Sequence, residues 1–265
     1  MARPDEGIDL AEAALLIACE EYPGLDVPRY VARLEGMGAA LREAVAASSA
    51  TRDAVATVGR FLFDEQGFRG NSAEYYDPKN SFLNDVLERR TGIPITLSVV
   101  YLEVARRAGL RAWGVGLPGH FIVRVVGRDQ AVLVDPFHGG ALLSEADCQE
   151  RLDRIFEGRV KMEPPMLAGC GPKQILSRML RNLKGLYEKA GDHLRALGAV
   201  ELLLRLEPRS AEDLRDRGFL HADLDCYALA ARDLEAYLVH VPGAPEAGEI
   251  LDRIAVMRQR AARLN

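Results

Sequence analysis

The sequence of 265 residues has few cysteines, no excess of positive charge and no long apolar run. Its four cysteines lie far apart without a C-x-x-C pair, which argues against a zinc site and against a disulfide framework. No window approaches the roughly 18 apolar residues of a membrane span, and the first residues lack the features of a secretory signal. The net charge of −5 argues against attraction to nucleic acid or an anionic membrane. These absences predict a cytoplasmic protein with no metal, cofactor, nucleic acid or membrane as a partner.

The first third of the chain reads as helical packing material. Apolar residues recur at helical spacing in residues 8–20, 28–47 and 52–66, which predicts three helices. Residues 67–80 are rich in turn formers and include Asp77-Pro78, so they predict a long ordered loop or a lid. A short helix is predicted for residues 81–90.

A more distinctive helix follows at Pro94. Proline is favoured at the first helical position, and Arg106-Arg107 followed by Gly109 forms a good stop signal, so the helix should end near Ala108. Apolar residues occupy nearly every position between these signals. A helix without a polar face is expected to be covered on most sides.

Three strand-like runs come next, at residues 111–117, 120–126 and 131–135. The segments between them have the composition of hairpin turns, which predicts an antiparallel meander packed on the buried helix. Ser144 and Asp147 resemble a capping box for a helix that reaches about Phe156. Together these elements predict an α+β domain over residues 1–160, and residues 161–172 read as a linker.

The remainder of the chain repeats itself. Apolar, small and proline positions recur at an offset of 34 residues, which is the tetratricopeptide period. The equivalent pairs are Leu180 and Leu214, Leu183 and Arg217, Tyr187 and His221, Ala196 and Ala230, Val200 and Leu234, and Pro208 and Pro242. Residues 173–265 are therefore predicted to hold two helical repeats and a capping helix. First helices such as residues 177–187 and 212–222 would line a groove for a protein or peptide partner.

Three stretches carry a family resemblance. The run from Asn80 to Leu110, the segment Gly116-Leu-Pro-Gly-His-Phe-Ile-Val-Arg and the segment Val132-Leu-Val-Asp-Pro-Phe resemble the SirB-type branch of the transglutaminase-like superfamily. That branch joins a transglutaminase-like, papain-like core to C-terminal tetratricopeptide repeats. The resemblance implies a catalytic arrangement in which a cysteine opens the core helix. His120 then matches the base, and Asp135 matches the group that orients it.

The nucleophile of that arrangement is missing from the sequence. Counting back from Gly109 places Pro94 where catalytic relatives carry the cysteine. Thr96 and Ser98 carry the nearest hydroxyl groups. Among the cysteines elsewhere in the chain, Cys170 lies in a Gly-rich segment and is the most mobile candidate for a thiol nucleophile. A nucleophile needs a group that can be deprotonated beside an oriented base. The alternative is that His120 and Asp135 form a buried structural pair that ties two strands together.

Other polar residues are candidates for a pocket lining. They are Asn80, Asn84, Pro94, Glu103 and His138, with Asp77 and Lys79 at the mouth. Each also has an ordinary explanation as a cap, a turn residue or, for Glu103, a side chain that exits to solvent.

Two functions therefore compete. The first is a non-catalytic binding or regulatory module that has lost its nucleophile. The second is an amide or peptide hydrolase, or an acyltransferase, that uses His120 and Asp135 with an unusual nucleophile. Direct DNA binding is a third idea, and the net negative charge argues against it. The sequence points to no particular substrate, partner or oligomeric state.

Overall fold

The structure is a computed structural model that describes residues 5–264. The described chain divides into two compact units, residues 5–179 and residues 180–264. The boundary falls inside one helix, Pro172–Ala190. No helix of the described residues is both long and apolar enough to cross a membrane.

The first unit begins with the predicted helical layer. The helices are α1 (Leu10–Ala18), α2 (Val27–Ala46) and α3 (Thr51–Gly59), and α3 continues into a wider π-helical turn at Arg60–Glu65. Aspartates begin the first two, because Asp9 accepts the Glu12 N–H and Asp26 accepts the Arg29 N–H. A side-chain acceptor at this position satisfies a backbone donor that a helix leaves free.

The centre of this unit is α5 (Pro94–Arg107), which follows the short helix α4 (Leu83–Arg89). Every residue of α5 from Pro94 to Ala105 is buried, as its lack of a polar face predicts. Burial of each large apolar side chain contributes about 1.5–3 kcal/mol. The helix contacts α1, α2, α3, α4 and the sheet, so it is the core element on which the others pack.

A five-stranded antiparallel sheet packs on this helix. Its strands are β3 (Arg111–Val115), β4 (Ile122–Val126), β5 (Ala131–Asp135), β6 (Ala141–Leu143) and β7 (Gly169–Cys170), in the order β6-β5-β4-β3-β7. Ile122 pairs with Val115 on one side, and Val123 pairs with Val134 on the other. This register places the start of β4 next to the end of β5, at one end of these two inner strands.

The sequence pattern identified the three central strands and missed the outer ones. Strand β7 lies within residues 161–172, which were expected to be a linker, and a 3-10 turn at Pro164–Leu167 precedes it. Two further residue pairs, β1 (Arg69–Gly70) and β2 (Thr91–Gly92), form a short parallel ladder. Such short strands carry no periodicity of their own, because only the partner strand defines them.

Helix α6 (Glu145–Phe156) confirms the capping box. The Ser144 hydroxyl accepts the Asp147 N–H at 3.1 Å, and the Asp147 carboxylate accepts the Ser144 N–H at 2.7 Å. Two orphan backbone donors are thereby satisfied reciprocally.

The second unit contains the predicted repeats. After the end of α7 (Pro172–Ala190) come α8 (His193–Leu206), α9 (Ala211–Asp223), α10 (Tyr227–His240) and α11 (Ala247–Leu264). Ala196 and Ala230, the small residues of the two copies, are both fully buried. Gly218 is also required to be small, since a Cβ there would lie 2.7 Å from Leu234 Cγ. The α+β core with C-terminal helical repeats is therefore confirmed.

Candidate functional site

His120 and Asp135 meet at the end of the inner strands β4 and β5. His120 follows a tight turn in which Gly119 has a φ of +68°, and it lies just before β4. Asp135 is the last residue of β5. His120 Nε2 lies 2.8 Å from Asp135 Oδ2, and both side chains are buried. The strand register thus brings together the two residues that the sequence singled out.

Asp135 is saturated with hydrogen-bond donors. Its Oδ1 accepts the backbone N–H groups of Phe137 and His138, and its Oδ2 lies within 2.9 Å of His120, His138 and Arg151. Burial alone would raise the pKa of Asp135. The hydrogen bond and charge of His120, with His138 and Arg151, outweigh burial and lower that pKa to about 2. The carboxylate is therefore ionised at neutral pH.

An ionised Asp135 fixes the tautomer of His120. A carboxylate only accepts hydrogen bonds, so the proton of a neutral His120 resides on Nε2. The second ring nitrogen, Nδ1, forms no hydrogen bond with any described residue. His120 is thus oriented as a general base whose lone pair has no partner in the described chain.

His138 and Arg151 complete the cluster around Asp135. His138 Nδ1 lies 2.9 Å from both Asp135 Oδ2 and Arg151 Nη1. The ligand atoms of His120, Asp135 and His138 lie within 4.8 Å of one another, a spacing that suits a metal ion. The Arg151 guanidinium already provides a cation beside two of these three atoms, so a metal would have to displace it.

Pro94 and the nearby hydroxyls do not supply a nucleophile to this cluster. Pro94 begins α5 and is buried, and it offers no reactive atom. The Thr96 hydroxyl donates to Asn80 O at 2.7 Å and accepts the Ile93 N–H. The Ser98 hydroxyl donates to Phe121 O at 3.4 Å. Both hydroxyls are fully buried, and neither forms a hydrogen bond with His120.

The thiols are likewise poorly placed for nucleophilic chemistry. Cys148 lies in an apolar cluster with Val115 and Ile122, and burial raises its pKa to about 11. Cys170 was named the most mobile thiol on the basis of its Gly-rich segment, but it lies in β7 and pairs with Gly114 in the sheet. Burial raises the pKa of Cys170 too. Nucleophilic cysteines need the opposite shift. Cys226 lies in the second unit and is exposed.

Hydrogen bonds hold the predicted loop at residues 67–80 in place. The Asn80 amide donates to Glu74 O at 2.7 Å and accepts from Asn71 Nδ2 at 3.1 Å. Asn71 N–H donates to Gly92 O, and Thr96 donates to Asn80 O. Asn80, predicted as a pocket residue, therefore fastens the loop to the first turn of α5.

The remaining predicted pocket residues separate into different places. Asn84 is buried, and its Oδ1 has no partner among the described residues. Asp77 caps the turn Pro78–Asn80 and pairs with Arg89, while Lys79 is exposed. Glu103 does not exit to solvent. It pairs with Arg107, and burial raises its pKa although that arginine opposes the shift. At 1.5 Å rise per residue, it lies about 14 Å along α5 from Pro94.

Sequence reasoning missed two arginines of the site. Arg151 reaches Asp135 from α6, and Arg178 from the start of α7 donates to Leu117 O and His120 O at 2.9 and 2.7 Å. Arg178 also lies over the Phe121 ring, and burial lowers its pKa. No local pattern marks either residue, because each meets its partner only through the tertiary fold.

A buried helix, an antiparallel sheet and a histidine–aspartate pair at the end of its inner strands are the features of a transglutaminase-like core. Residues 28–181 match the family model described as the transglutaminase-like superfamily, and residues 183–255 match that of the tetratricopeptide repeat. The chain belongs to the transglutaminase-like superfamily.

Relatives extend this membership over most of the chain. The chain is similar to a UPF0162 protein of Xylella fastidiosa, with 40% identity over 241 residues that cover 90% of this chain and 86% of that protein. A UPF0162 protein of Pseudomonas aeruginosa is 33% identical over 87% of this chain and 84% of its own length. F-box only protein 21 of Mus musculus is 33% identical over 138 residues, which are 49% of this chain and 21% of that protein.

Proposed function

We propose that this chain is a non-catalytic, cytoplasmic protein-binding or regulatory module of the SirB-type branch. A transglutaminase-like core over residues 1–160 would be joined through residues 161–172 to a repeat segment over residues 173–265 that carries the partner surface. The single observation that carries the proposal is a complete His120–Asp135 pair beside a helix that begins with Pro94.

The hydrogen bonds around the pair support a structural role. Asp135 contacts the side chains of His120 and His138, the Arg151 side chain from α6 and two backbone N–H groups. It therefore connects β5 to its neighbours. The Thr96 and Ser98 hydroxyls donate to backbone carbonyls in the core. Releasing either hydroxyl for chemistry would leave a buried carbonyl without its donor, at about 1–3 kcal/mol.

The repeat segment supports the binding role. Tetratricopeptide repeats generally mediate contacts between proteins, and their stacked helices form extended concave surfaces. The short match to F-box only protein 21 also supports a modular role, because the matched part is only about a fifth of that longer protein.

An acyl probe tests the non-catalytic half of the proposal. Purified wild-type chain and His120→Ala are incubated with a fluorophosphonate and with a chloroacetamide, and the labelled residues are identified by mass spectrometry. We expect no labelling that depends on His120. Labelling of Ser98, Thr96 or a cysteine that disappears in His120→Ala would refute the proposal.

Matched charge reversals test the binding half. Glu212 lies on the first helix α9, and Glu201 lies on the second helix α8, and both are exposed. A partner isolated by crosslinking to the wild-type chain should bind Glu212→Lys more weakly and Glu201→Lys unchanged. Equal binding to both variants would place the partner surface outside the groove of first helices.

One observation favours the competing hydrolase or acyltransferase function. His120 Nδ1 has no hydrogen-bond partner in the described chain, so it is free to take a proton. A water molecule or a substrate hydroxyl would then be the group that is activated. Turnover of an amide or ester substrate that is lost in both His120→Ala and Asp135→Asn would establish this function instead.

A further inference from the structure

A cavity lies beside the loop at residues 67–80, outside the Asp135 cluster. It has a volume of about 510 Å³ and is lined by residues 69–74, Arg89 and Thr91. The parallel ladder of β1 and β2 forms one wall. This volume lies within the range of about 300–1,000 Å³ that is typical of sites for small ligands.

Several of the polar groups in this cavity already have partners within the chain. Arg89 pairs with Asp77 at 2.9 Å. The Asn71 side chain donates to Asn80 and accepts the Glu74 N–H, and the Thr91 hydroxyl donates to Arg89 O. These groups build the walls and contribute little net charge.

The groups that have no partner among the described residues carry opposite charges. Arg69 and Glu74 both line the cavity and are exposed, and neither side chain forms an ion pair or a hydrogen bond with the other or with other described residues. The backbone N–H groups of Ser72 and Ala73 donate to no described residue. The lining therefore includes one cationic and one anionic side chain that are unpaired among the described residues, and two residues whose backbone N–H groups have no partner there.

The walls of the cavity are held in place before any ligand arrives. Gly70 packs so closely on Phe137 that a Cβ would lie 2.5 Å from Phe137 O. The Asn71 and Asn80 hydrogen bonds fix the other side of the loop. A preformed site avoids the entropic cost of ordering a loop on binding.

We propose that this cavity binds a small zwitterion of the amino-acid or short-peptide type. The ligand carboxylate would pair with Arg69 and the N–H groups of Ser72 and Ala73, and its ammonium group would pair with Glu74. A simple anion is disfavoured by Glu74, and a simple cation is disfavoured by Arg69. The site is separate from the His120–Asp135 pair and does not depend on the function proposed above.

Triglycine and its capped forms test this pairing directly. Triglycine carries both termini as charges, N-acetyl-triglycine lacks the ammonium group, and triglycinamide lacks the carboxylate. Binding to the full chain is followed by amide chemical shifts of residues 70–74 in NMR titrations. We expect triglycine to bind about tenfold more tightly than either capped form. Equal binding of the three peptides, absence of shifts with triglycine, or equally tight binding of inorganic phosphate would overturn the proposal.

Two variants assign each charge to its partner. Arg69→Gln should remove the advantage of triglycine over triglycinamide and leave the advantage over N-acetyl-triglycine. Glu74→Gln should do the reverse. Arg90→Gln is the matched control, because Arg90 is exposed and adjacent to Arg89 but does not line the cavity. If both variants weaken all three peptides equally, or if Arg90→Gln has the same effect, the proposed pairing is wrong.

Discussion

Asp135→Asn should destabilise the first unit in a way that depends on pH. The substitution keeps the shape of the side chain and removes the charge that faces His120, His138 and Arg151. Breaking a buried ion pair on one side costs about 3–5 kcal/mol, because the remaining charge stays buried without a partner. Arg151 keeps 19% of its side chain exposed, so water can partly solvate its charge, and we expect a loss near the lower end, about 3 kcal/mol at pH 5.

The sign of the pH dependence follows from the direction of the pKa shift. Burial raises the pKa of Asp135, but the hydrogen bond and charge of His120 lower it by more. The net effect is a fall from the ordinary 3.8 to about 2. This difference corresponds to about 2 kcal/mol of stability, which is present above pH 4 and is lost as the pH falls through 2. Between pH 5 and pH 3 the wild type should lose about 1 kcal/mol that Asp135→Asn does not lose. Both pH 5 and pH 3 lie below the pH at which a histidine ordinarily titrates.

Urea unfolding followed by tryptophan fluorescence provides the assay. The chain has a single tryptophan, Trp113, and it lies in β3 of the same sheet. Asp64→Asn is the control, since Asp64 is exposed and forms no ion pair with described residues. A gap between wild type and Asp135→Asn that stays constant from pH 5 to pH 3 would refute the assigned role of the carboxylate.

Three further substitutions probe other parts of the structure. Arg151→Ala removes the cation beside Asp135 and His138, so Zn²⁺ should bind the variant at least about tenfold more tightly than the wild type in calorimetry; equal affinities would contradict this. Thr96→Val removes the donor to Asn80 O and should cost about 1–3 kcal/mol and speed hydrogen exchange in residues 74–80, whereas Thr57→Val, which removes an exposed hydrogen bond to Asp53 O, should not. Gly218→Ala should destabilise the second unit by about 1–3 kcal/mol in thermal unfolding, because its Cβ meets Leu234, while Gly185→Ala has open space and should raise stability by up to about 1 kcal/mol. Equal effects of the two glycine changes would show that packing against Leu234 does not decide the outcome.

Local signals predicted the elements that are stabilised locally. Pro94 and the Arg106-Arg107-Gly109 stop defined α5, and Ser144 with Asp147 defined the start of α6. The 34-residue offset identified the repeats, because each copy must bury the same small residues, Ala196 and Ala230.

Tertiary contacts decided the features that the sequence did not reveal. Strand β7 has two residues and is a strand only because Gly114 and Val115 pair with it. Arg151 approaches Asp135 from sixteen positions along the chain, which no local pattern records. The His120–Asp135 contact was predictable only through the resemblance to a known family, which supplied the pairing that composition and spacing leave open.

The hydrogen bonds of the loop at residues 67–80 bear on how fast a ligand can bind. Asn80 and Thr96 connect this loop to the buried first turn of α5, so opening it would break buried hydrogen bonds together rather than one at a time. Such cooperative local unfolding occurs on the timescale of microseconds to seconds. A ligand that enters the neighbouring cavity without loop opening would instead associate at a rate limited by diffusion and orientation. Rapid-mixing measurements with the peptides above should therefore give rates that rise linearly with ligand concentration.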